Sequence, residues 1–249
     1  MNKNAPITFS YRRTRRNLIL SILAVIILAS GFIIFGLQPN NPTKSAYGGL
    51  EYPATLESMA NGCGNIFYNP PKEGNYAVIP EKFWQYHEEN GTETVKIPTH
   101  SMIIPIFGYM SEEAYTEDAV RFYSLQEATE APNLPMLLRT MYDRDITVVW
   151  YKANIAPSDL ALIKAYADAN PGEIFAYPWY FSGGSLVGTR TVAYAKWGIS
   201  QSCGLYNEEN LQDFIQFGKE HPIERKKDIP EAKYTDNGDL YPIGSNADD

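Results

Sequence analysis

The longest uninterrupted apolar run of the chain lies close to its N-terminus. It extends from Leu18 to Leu37 and contains 20 residues without a charged side chain. At 1.5 Å per residue such a helix is about 30 Å long, which matches the hydrocarbon core of a bilayer. The alternative, a buried core helix, normally keeps some polar face. The run therefore predicts a transmembrane helix over residues 18–37.

A cleaved signal peptide is the second alternative for this run. Such peptides have an apolar core of about 7–15 residues, whereas this run is longer, and the apolar residues 32–35 directly follow the small residues 29–31. An uncleaved signal anchor is therefore predicted. Residues 1–17 are basic, and basic flanks stay in the cytoplasm. The prediction is a single-pass protein of the cell membrane with a cytoplasmic N-terminus and an extracytoplasmic C-terminal domain.

Beyond the membrane segment the pattern indicates one folded domain between two polar segments. Residues 38–49 are rich in Pro, Asn and Gly and predict a flexible tether. Residues 225–249 are polar, lack periodicity and predict a mobile tail. The domain itself is predicted over residues 50–224, an ordinary size for a single domain.

The second half of the domain carries clear strand and helix patterns. Runs rich in β-branched and aromatic residues predict buried strands at 146–151, 173–178 and 191–197. One helix is predicted after the first of these strands, with Ser158 as its N-cap, and a last helix after the N-cap Asn207.

The first half is rich in loops. Asn90-Gly91 between two strand-like runs predicts a β-hairpin. The segment 111–130 is predicted to be helical in part, with Ser111 or Thr116 as the N-cap ahead of acidic residues.

The order of these elements predicts an α+β fold. Gly183, Gly184 and Gly188 lie between the last two strands and favour an antiparallel connection over a crossover helix. The predicted architecture is a small, mainly antiparallel sheet with two or three helices packed on one face. One N-terminal transmembrane helix precedes it.

Charge is distributed unevenly along the chain. Residues 1–37 carry five basic side chains and no acid, and the whole chain has a net charge of −8, so residues 38–249 sum to −8 − 5 = −13. An acidic domain repels phosphate backbones and anionic lipid. Nucleic acid is therefore excluded as a partner.

The chain has two cysteines, Cys63 and Cys203. Outside the cytoplasm two thiols can oxidise and remain oxidised, so the predicted orientation favours a disulfide between them. The alternative is two separate buried thiols. A redox-active pair is disfavoured because the chain has no C-x-x-C motif.

An aromatic segment precedes the glycine-rich stretch. Trp179, Tyr180 and Phe181 stand within "AYPWYFSGGSLVG", and aromatic side chains beside flexible glycines suit binding of a sugar or an extended peptide. These three residues are the candidate ligand-binding residues. The alternative is ordinary packing at the end of a strand.

The segments "TVVWY", "IFAYP", "TVAYAKWG" and "NLQDFIQFGKEHP" together resemble a family over roughly residues 134–224. That family is catalogued as domain of unknown function 3105, and its members are typically membrane-anchored bacterial proteins. The resemblance rests on the strand ending in Trp150-Tyr151, the later strand with a proline, Ala195-x-Trp197-Gly198 with Cys203 behind it, and the final amphipathic helix.

Most relatives in that family carry a His-x-x-x-His-Gly motif ahead of the Trp-Tyr strand, which implies a metal site. This chain has Thr140 and Arg144 at the two histidine positions, so the resemblance implies that the site has been lost. His100 corresponds to a histidine further upstream. A rearranged metal site would combine His100 with Asp143 and Asp145.

No catalytic motif accompanies these features. The chain lacks a G-x-S-x-G elbow, an S-x-x-K motif and a phosphate loop, so no catalytic residue and no cofactor are assigned. The sequence favours a non-enzymatic accessory domain of the cell envelope that binds a ligand or an envelope protein. The alternative hypothesis is a metal- or redox-handling envelope protein with the rearranged site.

Overall fold

The structure is a computed structural model of the 249-residue chain. It describes residues 41–46, 48–72, 75–79, 85–89, 92–96, 104–116, 121–127, 132–179 and 190–233. The chain divides into two compact units, Met1–Asn41 and Pro42–Asp249, and every element below belongs to the second. Among the described residues no helix is long and apolar enough to cross a bilayer, and the predicted membrane segment 18–37 lies outside them.

The central feature is a seven-stranded mixed sheet in the order β1-β2-β3-β11-β10-β8-β9. Its strands are β1 (Thr43–Lys44), β2 (Leu50–Tyr52), β3 (Ile66–Tyr68), β8 (Thr147–Tyr151), β9 (Ile174–Pro178), β10 (Val192–Lys196) and β11 (Ile199–Cys203). Two small sheets consist of β4 (Ala77–Val78) with β7 (Tyr109–Met110), and β5 (Gln85–Glu89) with β6 (Thr92–Lys96). The helices are α1 (Leu56–Ala60), α2 (Leu134–Arg144), α3 (Pro157–Ala169) and α4 (Glu208–Glu220).

Within the described part of the large sheet, neighbouring strands run antiparallel except β8 and β9. These two are parallel because α3 carries the chain back to the starting edge between them. The predicted α+β class with a mainly antiparallel sheet is confirmed. The prediction of two or three helices is corrected to four among the described residues, since α1 and α2 were not anticipated.

Helices cover both faces of the sheet, not one face as the sequence predicted. α3 and α4 pack on the face that includes Val149 and Tyr194, named here the α3–α4 face. α2 packs on the opposite face, the α2 face, with Trp150 and Ala193. The physical reason is that consecutive residues of β8 and β10 are apolar and fully buried, so each face requires a cover.

Helix ends explain one confirmed and one corrected prediction. The Asn207 side chain accepts a hydrogen bond from Asn210 N at 3.1 Å and caps α4, as predicted. The N-cap of α3 is Ala156 and not Ser158, because Pro157 occupies the first helical position and places Ser158 inside the first turn.

The predicted helix within 111–130 is absent from the described parts of that segment, 111–116 and 121–127. The backbone of these residues instead forms hydrogen bonds to neighbouring elements. Ser111 N donates to Pro135 O, and the residues around Phe122 form a parallel bridge to Ala176 on edge strand β9. The unpaired backbone groups of a sheet edge compete effectively with a short local helix.

Two of the hairpins bear on the sequence predictions. β5 and β6 pair antiparallel around the predicted Asn90-Gly91 turn, with Glu89 opposite Thr92. Trp197-Gly198 connects β10 to β11, with Lys196 opposite Ile199. Gly198 has φ 71°, and its N–H donates to Ile106 O at 2.8 Å, so this corner is fixed to a distant loop.

Both polar flanks of the predicted domain contribute ordered residues. Thr43–Lys44, within the segment predicted as a tether, pairs with β2 as strand β1. Ala232, within the segment predicted as a tail, is buried, and its N–H donates to Val78 O at 2.8 Å.

Candidate functional site

A cleft of about 420 Å³ opens at the end of the sheet where β10 turns into β11. It lies among the C-terminal ends of α2 and α4, the Trp197-Gly198 corner and the segment after α4. Its lining consists of Asp145, Lys196, Trp197, Ile199, Gly218, Lys219, Pro222, Ile223 and Arg225.

The alternation of side chains along β10 between the two faces of the sheet brings Lys196 to this cleft. Val192 and Tyr194 belong to the core of the α3–α4 face, and Lys196 continues the same two-residue period at the end of the strand. Helix α4 still covers this position, so only 3% of the Lys196 side chain is exposed. The Lys196 stem passes beneath Gly218: a Cβ on that glycine would lie 2.9 Å from Lys196 Cδ.

Asp145 is the counter-ion of this buried ammonium group. It is the C-cap residue of α2 and adopts the left-handed conformation, with φ 59° and ψ 27°. Its Oδ2 lies 2.9 Å from Lys196 Nζ, and its Oδ1 accepts a hydrogen bond from Arg225 Nη2. A single carboxylate thereby joins two cations from distant parts of the chain.

The cleft is cationic although the domain is acidic. Lys196, Lys219 and Arg225 face one lining carboxylate, that of Asp145. Lys219 Nζ also lies 3.8 Å from Glu173 Oε1, but its side chain is 58% exposed, so this pair is weak. The lining therefore retains an excess of positive charge.

Two N–H donors of the lining have no hydrogen-bond acceptor within the described residues. They are Trp197 Nε1 and Arg225 Nε, both buried. Trp197 as a whole is 2% exposed and packs edge-on against Tyr142 at 4.9 Å. A buried donor without an acceptor costs about 1–3 kcal/mol, so these two groups lower the stability of the fold at this place.

A second feature lies on the same face of the sheet. We name the four half-buried rings of Tyr52, Tyr68, Phe217 and His221 the ring cluster. Phe217 and His221 are stacked at 4.1 Å, and Tyr52 meets both edge-on at 4.9 Å. Burial first, and then the neighbouring Tyr52, raises the pKa of Tyr68.

Of the residues predicted to bind a metal, the structure describes Asp143 and Asp145, and a site that includes His100 stays a prediction. Asp143 pairs with Arg139 Nε at 2.7 Å along α2, and Asp145 pairs with the cleft cations. His100 lies outside the described residues. Over the part of the chain that is described, no group of three His, Cys, Asp or Glu side chains is placed to hold a metal ion.

Thr140 and Arg144, the two positions that the resemblance aligns with histidines, have structural surroundings of their own. Thr140 is fully buried; its hydroxyl accepts from Tyr115 N at 2.9 Å and donates to Met136 O at 2.6 Å. Arg144 is exposed at the end of α2. Thr140 thus connects α2 to the loop before it.

Of the predicted aromatic ligand-binding residues, the structure describes Trp179. It is half-buried on the α2 face, and its ring meets Trp150 edge-on at 5.4 Å. Tyr180 and Phe181 lie outside the described residues. Ligand binding by these three residues stays a prediction.

The two cysteines are brought together as predicted. Cys63 Sγ and Cys203 Sγ lie 2.08 Å apart, at disulfide distance, across a sequence separation of 140 residues. Asn210 of α4 donates from Nδ2 to Cys63 Sγ at 3.5 Å. The bridge lies at the opposite end of β11 from the Trp197-Gly198 corner.

Sequence reasoning missed Lys196, Arg225 and the ring cluster. One local signal was available: Lys196 is a charged residue at a position whose strand period points into the core. No protein-family model, curated protein or solved structure matches the chain. Function is therefore inferred from the geometry of the cleft.

Proposed function

We propose that this chain is a single-pass, membrane-anchored accessory protein of the cell envelope whose extracytoplasmic domain binds a small anionic ligand. The binding site is the cationic cleft, and residues 18–37 are the anchor. The observation that carries the proposal is the buried Lys196, which lines the cleft. Two further cations line the cleft with it, against a single carboxylate.

The number of donors supports an anion. The Lys196 ammonium has three N–H donors, and one of them goes to Asp145. Arg225 adds its guanidinium. Burying charge is costly unless it is compensated, and a ligand carboxylate or phosphate would supply the acceptors that a single aspartate does not.

The chemistry of the cysteines supports the proposed compartment. A bond between Cys63 and Cys203, at the observed distance, persists in oxidising compartments and is rare in the cytosol. The apolar run 18–37 and the basic residues before it support the same orientation.

The test is calorimetric titration of the full chain, purified in a neutral detergent at low ionic strength, with inorganic phosphate, sulfate, acetate and citrate. We expect at least one anion to bind, and Lys196→Met to weaken it by about tenfold or more. Lys164→Met is the matched control, because Lys164 forms an exposed pair with Asp168 on α3 at 2.6 Å. It should bind like the wild type.

A second variant keeps the test decisive if Lys196→Met fails to fold. Arg225→Gln alters a side chain that is 30% exposed, and it should also lower anion affinity. Wild-type protein that binds none of the four anions, or cleft variants with unchanged affinity, would refute the proposal.

A further inference from the structure

We infer that the anion carried into the cleft belongs to an acidic saccharide, whose sugar ring lies on the ring cluster. This inference rests on the proposed function and names the chemical class of its ligand. It follows from how the ring cluster adjoins the cleft.

The two features share a strand pair. Ile199 lines the cleft, and its register partner on β3 is Tyr68 of the ring cluster. Directly opposite residues in an antiparallel pair have Cβ atoms about 5 Å apart and point to the same face. The cleft and the ring cluster therefore meet between Ile199 and Tyr68.

The last turn of α4 links the same two features. Phe217 and His221 belong to the ring cluster, whereas Gly218 and Lys219, between them in sequence, line the cleft. The last turn of α4 therefore borders both the cleft and the ring cluster.

The chemistry of the ring cluster matches that of a sugar. A pyranose offers an apolar C–H face and a rim of hydroxyl groups. The ring cluster offers aromatic surface together with the hydroxyl of Tyr68, whose pKa is raised, and aromatic side chains with polar tips bind ligands of this mixed character.

An extended acidic peptide is the competing ligand class. Peptides of that kind commonly add to an exposed sheet edge. The edge strand β9 already has a backbone partner, since Ala176 N donates to Arg121 O at 2.7 Å and Tyr123 N donates to Ala176 O at 3.0 Å. β1, at the other edge, is two residues long. The saccharide is therefore the class that the described surface favours.

The test uses the full chain in deuterated detergent and four probes: methyl glucuronide, methyl glucoside, acetate and triglutamate. Affinities come from titration, and saturation-transfer NMR identifies which ligand protons touch the protein. We expect methyl glucuronide to bind about fivefold to tenfold more tightly than acetate. Its ring protons should receive saturation, and methyl glucoside should bind more weakly than the glucuronide.

Phe217→Leu and Tyr52→Leu keep apolar volume but remove the ring. Each should lower the affinity for methyl glucuronide by about threefold to tenfold and leave that for acetate unchanged. Tyr123→Leu is the control, because Tyr123 is a half-buried aromatic residue that packs on the opposite, α2 face.

The outcomes separate the two proposals. If acetate binds as tightly as the glucuronide and Phe217→Leu changes neither affinity, the saccharide inference is overturned while the anion cleft stands. Tighter binding of triglutamate than of the glucuronide would overturn it in favour of a peptide. Failure of every anionic probe would refute the cleft itself.

Discussion

Gly218 lies directly over the aliphatic stem of Lys196, and a Cβ at Gly218 would come within 2.9 Å of Lys196 Cδ. Glycine inside a helix costs roughly 0.5–1 kcal/mol relative to alanine. In α4 the missing side chain at Gly218 leaves room for Lys196 to pass beneath the helix, so that its ammonium group lies at the cleft. The glycine and the lysine therefore form one structural unit.

The first prediction concerns this unit. Gly218→Ala improves helix propensity but should lower the free energy of unfolding by about 1–3 kcal/mol, because the new methyl group overlaps the Lys196 stem. Urea denaturation measures the change. Adding Lys196→Ala removes the obstacle, so a double-mutant cycle should show positive coupling. Additive losses would contradict the close contact.

A second prediction concerns Asp145. Asp145→Asn leaves Lys196 and Arg225 without their carboxylate and should lower the free energy of unfolding by about 1–3 kcal/mol. The same change should strengthen binding of phosphate, since an internal anion no longer competes for the cations. Denaturation with and without phosphate measures both effects. Asp143→Asn is the matched control. It removes only an intrahelical ion pair with Arg139 and should lower the free energy of unfolding by about 0.5 kcal/mol.

A third prediction concerns the cysteines. Intact mass measurement of chain produced in an oxidising compartment should give a value about 2 Da below that of the reduced protein. Replacing both Cys63 and Cys203 by Ala should destabilise the domain by about 4 kcal/mol on the chain-entropy account, because the bridge closes a long loop. Two free thiols in the oxidised preparation would count against the bond.

The fourth prediction is a loss of stability at alkaline pH. Burial raises the pKa of Tyr115 from 10.0 to about 12. A group whose folded pKa exceeds its unfolded pKa contributes stability that is complete below pH 10 and is lost as pH rises towards 12. For Tyr115 the loss is up to about 2 kcal/mol.

The measurement is the free energy of unfolding between pH 8 and pH 12, with tyrosinate absorbance recorded in parallel. Tyr115→Phe should flatten this dependence even though it removes the hydroxyl that accepts from Asn133 N at 3.2 Å. Burial also raises the pKa of Tyr194 and Tyr206, so some alkaline dependence should persist in the variant. An unchanged slope in Tyr115→Phe would show that other groups control it.

Much of the sheet could be predicted because its signals are local. β8 and β10 are short runs of buried residues. Asn207 caps α4 by accepting a hydrogen bond from the first turn of that helix. From the sequence no helix is predicted over 134–144, although Asn133 and Pro135 form a recognisable helix start. The existence of α2 decides that the sheet is covered on both faces.

The cleft could not be predicted because it is assembled by long-range pairing. Asp145 meets Lys196 over 51 residues and Arg225 over 80 residues. Ion pairs at such separations leave no periodic trace in a sequence. The aromatic site predicted at Trp179 follows from local composition, whereas the ring cluster combines Tyr52 and Tyr68 with the end of α4.

The bond between Cys63 and Cys203 has a mechanical consequence. Tension applied between the two ends of the chain would pass directly from Cys63 to Cys203, and the long loop between them would carry no load. Asp145 and Lys196 belong to this shielded loop. Lys219 and Arg225 lie C-terminal to Cys203, in the part of the chain that carries the tension. A pull on the C-terminal end would therefore act first on the hydrogen bond between Ala232 and Val78, and next on the contact between Asp145 and Arg225 at the cleft.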